Sequence, residues 1–238
     1  MKKFPLFILF LSFSSIVHSQ SFSLGYRTGK GDFKSLDFII ERYNETRPTL
    51  VKRMENISAI SGTLFGLDLN IGSISLGLQI PTLKTEIVSS QTSSQTRELY
   101  LKLSGFEVNI SYFKQILRSG SFHLYSGGGL SLDNNSTSAF TRVTDINSTV
   151  PEFTEIKTGS SISTGVSAFL NGRFDFNSFA IFAEAKPFYK FSISNPDLSA
   201  LNQNINPSTY FNDDAAAQKE SMNCYGIDLR AGLTVVIF

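Results

Sequence analysis

Long runs of alternating apolar and polar residues, joined by links that are by turns short and long, constrain this chain more than any other feature. A period of two sends successive side chains to opposite faces of a β-strand. Ser61 to Asn70 sets Thr63, Phe65, Leu67 and Leu69 against Leu64, Gly66, Asp68 and Asn70. After only Ile71-Gly72, the segment from Ser73 to about Val88 sets Ile74, Leu76, Leu78 and Ile80 against Ser73, Ser75, Gly77 and Gln79. The two strands read as a hairpin with a tight turn.

The same pattern recurs to the end of the chain. Ser89 to Thr96 has no apolar residue and reads as a solvated loop. Alternation then resumes at Leu99, Leu101 and Leu103 and changes phase at Gly105 to Phe106, Val108, Ile110 and Tyr112, which predicts a β-bulge at the glycine. A fifth strand follows, with Phe122, Leu124, Leu130 and Leu132 facing one way and His123, Tyr125, Gly127, Gly129 and Ser131 the other. Asp133 to about Gly159 reads as a second long loop, in which Ala139 to Val143 and Phe153 to Ile156 are candidates to extend the flanking strands. Strand six spans about Ser161 to Asp175. Strand seven begins at Phe179 and holds one poorly placed residue, Pro187. A third long polar link, Asn195 to about Asn223, leads to a last strand from Cys224 to Phe238. With Ser21 to Arg27 as the first strand the count is eight, and an even number puts both termini on one side.

One interval breaks the period. Leu36, Ile39, Ile40 and Tyr43 fall at i, i+3, i+4 and i+7, and Pro48 ends the pattern, so a short amphipathic helix is expected between strands one and two. It is expected to cap one mouth of the sheet, with a receptor-binding or membrane-surface helix as the competing role.

Strand length separates a membrane barrel from a soluble sandwich. Sandwich strands are typically about five or six residues long, whereas several runs here reach the roughly 9 to 11 residues needed to cross a hydrocarbon core as tilted strands. Only a closed barrel leaves no unpaired backbone in lipid. The face opposite the apolar one carries Asp68, Lys102, Glu107, Arg173, Glu184, Lys186, Lys190, Asp228 and Arg230. An eight-stranded barrel is just wide enough inside for side chains, so these charges are expected to pair in the lumen, with Arg173 to Glu184 and Lys186 to Asp228 as candidate pairs. The fold class expected is therefore all-β: an eight-stranded antiparallel up-and-down transmembrane β-barrel with a short helix between strands 1 and 2.

The first residues agree with export. Met1-Lys2-Lys3 precedes an apolar stretch from Phe4 to Val17, and Val17-His18-Ser19 precedes Gln20, so residues 1–19 read as a signal peptide and residues 20–238 as the barrel domain. Loss of Lys2 and Lys3 takes the formal charge from +1 to −1, leaving no basic field for nucleic acid. Cys224 is the sole cysteine, so no disulfide forms within the chain.

The chain resembles the small outer-membrane barrel proteins of the porin and outer-membrane protein A and X superfamily, particularly the barrel domain common in Bacteroidetes. The resemblance rests on the export signal, the YSGGGLSL run at Tyr125 to Leu132, the AEAKPFYKF run at Ala183 to Phe191 and the terminal Phe238. It implies an outer-membrane location after Sec-type export, outer-membrane lipid as surroundings, and Phe238 as an assembly signal read by the barrel-assembly machinery. Thr234, Gly232 and Arg230 share the parity of Phe238 where the family signal prefers apolar residues.

No chemistry stands out. His123 is the one histidine after cleavage, its parity points it inward, and no His, Cys or carboxylate spacing fits a metal. No catalytic residue, cofactor or metal is expected. A structural or surface-interaction barrel is the first reading. A narrow channel for small solutes and a soluble periplasmic lipid-binding β protein are the alternatives. No extracellular partner is indicated.

Overall fold

Nine strands and two helices form in the computed structural model, which describes residues 19–145, 148–207 and 223–236. The strands are β1 (Ser19–Asp32), β2 (Ala59–Ile71), β3 (Ile74–Thr85), β4 (Val88–Gln91), β5 (Gln95–Ser119), β6 (Phe122–Asp145), β7 (Thr154–Phe176), β8 (Phe179–Ser194) and β9 (Asn223–Val236); the helices are α1 (Lys34–Glu45) and α2 (Ser199–Ile205). Residues 1–18 of the expected signal peptide, much of the third polar link and Phe238 lie outside the described residues.

The sheet runs β3-β2-β1-β9-β8-β7-β6-β5, every neighbour antiparallel, and β3 pairs with β5 to close the ring. Short β4 continues the line of β3 past Glu86-Ile87 and also pairs with β5, so the barrel has eight staves. Three tight turns, at Gly72-Ser73, Gly120-Ser121 and Asn177-Ser178, share one end with the start of β1. Gly72, Gly120 and Asn177 take positive φ values of 59°, 58° and 23°, a region open to Gly and, less readily, to Asn. The long links lie at the opposite end, in the described residues 33–58, 92–94, 148–153 and 195–207.

Around the end with tight turns the barrel is inside out. Leu24, Leu78, Val108, Ile110, Leu130, Val166, Leu170, Ile181, Leu229 and Leu233 are all exposed, while their sequence neighbours Ser23, Gln79, Glu107, Asn109 and Arg230 are buried. Soluble monomers do not expose contiguous apolar surface on this scale.

Towards the long links the arrangement reverses. On β5 the outward positions pass from Val108 and Phe106 to Ser104 and Lys102, while the inward ones pass from Glu107 to Leu103, Leu101 and Leu99. On β3 the outward side passes from Ile80 to Thr82 and Lys84 and the inward side from Gln79 to Leu83. This corrects the bulge expected at Gly105. The β5–β6 ladder runs unbroken through Gly105↔Asn135, and the apolar residues change face because the surroundings change. The glycine is there for space: a Cβ on Gly105 would collide with the carbonyl oxygen of Asn134.

Two expected loops are corrected by the same extension. Ser89 to Gln91 lies in β4, and most of the region from Asp133 to Gly159 is strand, in β6 up to Asp145 and in β7 from Thr154. Pro187 sits at an outward position of β8, opposite Ile227 on β9. On its other side the β7–β8 ladder is interrupted between Ser167↔Phe188 and Leu170↔Ala185, as a residue without an N–H requires.

The apolar interior of the long-link end is where the helices pack. Leu36, Ile39, Ile40 and Tyr43 of α1, the four residues at helical spacing, join Leu198, Leu201 and Ile205 around α2 and the inward residues Ile60, Leu83, Val88, Leu99, Leu101 and Ala139 in one core. Arg47 donates to the carbonyl of Ile205 at 2.9 Å and stacks 4.1 Å from the Tyr43 ring centroid, fastening α1 to α2. Asn206 donates to the carbonyl of Ile39 at 3.2 Å. The helix between the first two strands is thus a plug in the long-link mouth.

Adjacent residues on β5 report this phase directly. Leu101→Ala is expected to cost about 2–5 kcal/mol through the cavity left beneath the plug, and Lys102→Ala less than about 0.5 kcal/mol, in urea unfolding monitored by heat-modifiable gel migration.

Candidate functional site: the charged lumen

The inward positions of six strands build one network across the lumen between the plug and the tight-turn mouth. Arg27 on β1 donates from Nε and Nη2 to the two carboxylate oxygens of Asp228 on β9, at 2.7 and 2.8 Å, and from Nη2 to Glu107 on β5 at 2.8 Å. The fork geometry of a guanidinium suits this bidentate contact. Lys190 on β8 reaches Glu107 at 2.7 Å and Asp133 on β6 at 2.5 Å. Its aliphatic stem passes over Gly165 of β7, where a Cβ would lie 2.9 Å from Lys190 Cγ.

Nearer the tight-turn mouth, Arg230 on β9 donates from Nε to Glu184 at 3.0 Å and from Nη1 to Asp68 at 3.4 Å. Asn171 donates to the second oxygen of Glu184 at 3.1 Å. Lys186 lies between the two groups, 3.7 Å from Glu107 Oε1. Four cations and five carboxylates thus meet in a lumen just wide enough for side chains.

Several expectations are corrected by this geometry. Lys102 is exposed on the outer surface, because the odd-numbered positions of β5 from Leu99 to Asn109 face inward. Arg173 bonds Asp175 at 2.5 Å rather than Glu184. Lys186 stands opposite Asp228 in the β8–β9 ladder, but Arg27 holds Asp228 and Lys186 turns towards Glu107. The expected lumen residues Asp68, Glu107, Glu184, Lys186, Lys190, Asp228 and Arg230 are brought together. Arg27 and Asp133 were not anticipated as members. Arg27 is the last residue of the expected first strand, with the parity of inward Ser21 and Ser23, and Asp133 enters the lumen because β6 extends past Leu132.

Below the network the lumen opens into a cavity of about 360 Å³, with Gly72 and Ser73 at its rim and Asp68, Glu184, Lys186 and Arg230 at its floor. Aromatic Phe113, Tyr125, Phe169 and Phe182 line its wall. Asn109 Nδ2, on the same wall, is buried without a hydrogen-bond partner. His123 is buried near the mouth, with Nδ1 3.3 Å from Gln115 Oε1 and Nε2 3.3 Å from Asp175 Oδ2. Among the described residues no group of three His, Cys, Asp or Glu side chains could hold a metal ion.

Outside the apolar band, burial, with repulsion from Glu41 and Asp32, pushes the Asp37 carboxyl of α1 up to about 6. The backbone N–H groups of Ser58 and Ala59 hold Glu86 below the usual carboxylate range.

The barrel rests on its own strand ladder. No protein-family model matches the chain, and no curated protein does. Among solved structures it is similar to Ail, the attachment invasion locus protein of Yersinia pestis, in complex with the heparin analogue sucrose octasulfate. Identity is 10%, coverage is 91% of this chain and 97% of that one, and the TM-score is 0.37. The outer membrane protease OmpT from Escherichia coli matches at 12% identity over 92% of this chain and 96% of that one, with a TM-score of 0.31. Likenesses this slight add nothing to the pairing already described.

Removing one partner from the network leaves a buried charge unpaired. Arg27→Met is expected to destabilise the barrel by about 3–5 kcal/mol, read as a lower urea midpoint after folding into neutral lipid vesicles. An unchanged midpoint would mean the network contributes nothing.

Proposed function

We propose that this chain is an integral outer-membrane β-barrel with a closed lumen, exported by a Sec-type route, whose role is structural or lies in contacts made by its long-link end at the cell surface. The observation that carries the reading is the stacking of two different blocks inside one barrel. The ion network crosses the lumen within the apolar band, above the cavity, and the α1 and α2 plug fills it beyond. A solute entering the 360 Å³ cavity meets Arg230 and Lys186 at its floor, then an apolar core.

A tall outward apolar band around a polar interior is what a strand barrel in lipid requires. It supports a membrane over a soluble lipid carrier, which would be apolar within and polar without. The tight turns and both strand ends share one side, which the reading places in the periplasm. The rest of the proposal follows from that placement: outer-membrane lipid as surroundings, the barrel-assembly machinery as the partner in insertion, Phe238 as its signal, and no catalytic role.

Planar-bilayer recording of the purified, folded protein tests closure. No steady unitary current is expected at moderate voltage. Reproducible single-channel steps would overturn the closed reading in favour of a narrow solute channel.

A further inference from the structure

Just beyond the apolar band, three lysines stand side by side on the outer face of the barrel. Lys84 of β3 is in register with Lys102 of β5, Lys102 with Ser138 of β6, and Ser138 with Lys157 of β7. All three lysines are exposed. Like charges directly opposite one another in a ladder are destabilising, and among the described residues no carboxylate lies within ion-pairing distance of any of them. Lys84 Nζ instead sits 4.0 Å from the centroid of Tyr100. Of the carboxylates on the same face, Glu98 is engaged by Arg142 at 2.5 Å, and Glu155 accepts from the Ser138 hydroxyl at 2.7 Å within the row, which keeps a net positive charge.

The row is assembled by a backbone device. Between Ser136↔Ser160 and Ser138↔Lys157 the β7 strand carries one extra residue, and Gly159 takes φ 87° there. Such a glycine bulge flips the faces of all that follows. Without it Lys157 would point into the lumen, since Ile162 and Ser160 already hold the outward parity.

The height is also specific. On both β3 and β5 one hydroxyl residue separates the last outward apolar side chain from the lysine: Ile80, Thr82, Lys84 and Phe106, Ser104, Lys102. Four residues of strand are about 13 Å, or about 10 Å of height at the tilt of a membrane barrel. The polar zone of a bilayer leaflet is roughly 5–8 Å deep, and a lysine stem can reach down into it.

We infer that Lys84, Lys102 and Lys157 form a binding row for the phosphate of a phosphorylated outer-leaflet lipid, continuous with the apolar band that holds its acyl chains. The inference rests on the outer-membrane reading and deepens it. The alternative source of the same chemistry, free phosphate, lacks the acyl chains that the band would hold.

The test is a calorimetric titration of the folded mature protein, in neutral detergent, with phosphorylated lipid A, dephosphorylated lipid A and inorganic phosphate. Saturable binding of the phosphorylated lipid alone is expected. The triple variant Lys84→Gln, Lys102→Gln, Lys157→Gln should lose about fivefold per lysine, about a hundredfold together, while Lys114→Gln at the other rim keeps wild-type affinity. Heat-modifiable migration confirms that each variant is folded. Equal binding by the triple variant, equal binding of the dephosphorylated lipid, or equally tight binding of inorganic phosphate would each overturn the inference. Carbonate washing of cell membranes separates the two levels: release of the wild-type protein defeats the outer-membrane reading, whereas retention with no lipid A binding defeats only the phosphate row.

Discussion

Backbone hydrogen bonding in a closed ring of eight staves is the constraint from which the rest of this structure follows. Closure pairs the interior strands on both sides, so the sheet can stand in surroundings that offer no hydrogen bonds. Its outer face is then free to be apolar, and Leu78, Val108, Leu229 and their neighbours are exposed there. The same closure leaves a lumen only wide enough for side chains. Charges placed inside must satisfy one another: Arg27 pairs with Asp228 on the neighbouring strand, while Arg27 to Glu107, Lys190 to Glu107 and Lys190 to Asp133 join strands that are not neighbours. A cross-lumen network of this kind braces opposite walls where a chain of adjacent pairs would not.

A single chain carries two environments along the same strands. β5 is 25 residues long, and its outward side is apolar at Val108 and charged at Lys102. The inward side changes in the opposite sense at the same level, from Glu107 to Leu103, so the polarity of both faces inverts together. Within the band the outside is oily and the inside polar. Beyond it the barrel becomes an ordinary water-soluble sheet, whose apolar interior needs a cover and finds one in α1 and α2.

Alternation was enough to read the staves, the tight turns at Gly72, Gly120 and Asn177, and the helix whose apolar face is Leu36, Ile39, Ile40 and Tyr43. It was not enough at the inversion. A change of phase along a strand has two physical causes, an extra residue or a change of surroundings, and Leu103-Ser104-Gly105-Phe106 looks the same under both. One bulge lies instead at Gly159, in a stretch poor in apolar residues where parity leaves no mark, and β5 shifts register only between Gln115 and Leu117, near its tight turn. Lys102 was misplaced for this reason, and Asp133 was assigned to a loop because its neighbours Asn134 to Ser136 are polar on both faces. The network partners escaped a pairwise reading because Arg27 to Glu107 and Lys190 to Asp133 cross the lumen, a distance the strand register does not encode.

The inversion on β5 sets the proposed edge of the membrane. Its most direct measurement is a depth scan along the outward positions of β5: single cysteines at Ile110, Val108, Phe106, Ser104, Lys102 and Tyr100, in a Cys224→Ser background, spin-labelled and read for accessibility to oxygen and to a water-soluble nickel complex in reconstituted vesicles. Oxygen should dominate from Ile110 to Phe106 and the nickel complex from Ser104 to Tyr100, with the crossover between Phe106 and Ser104. Access of the nickel complex to all six positions alike would contradict the account.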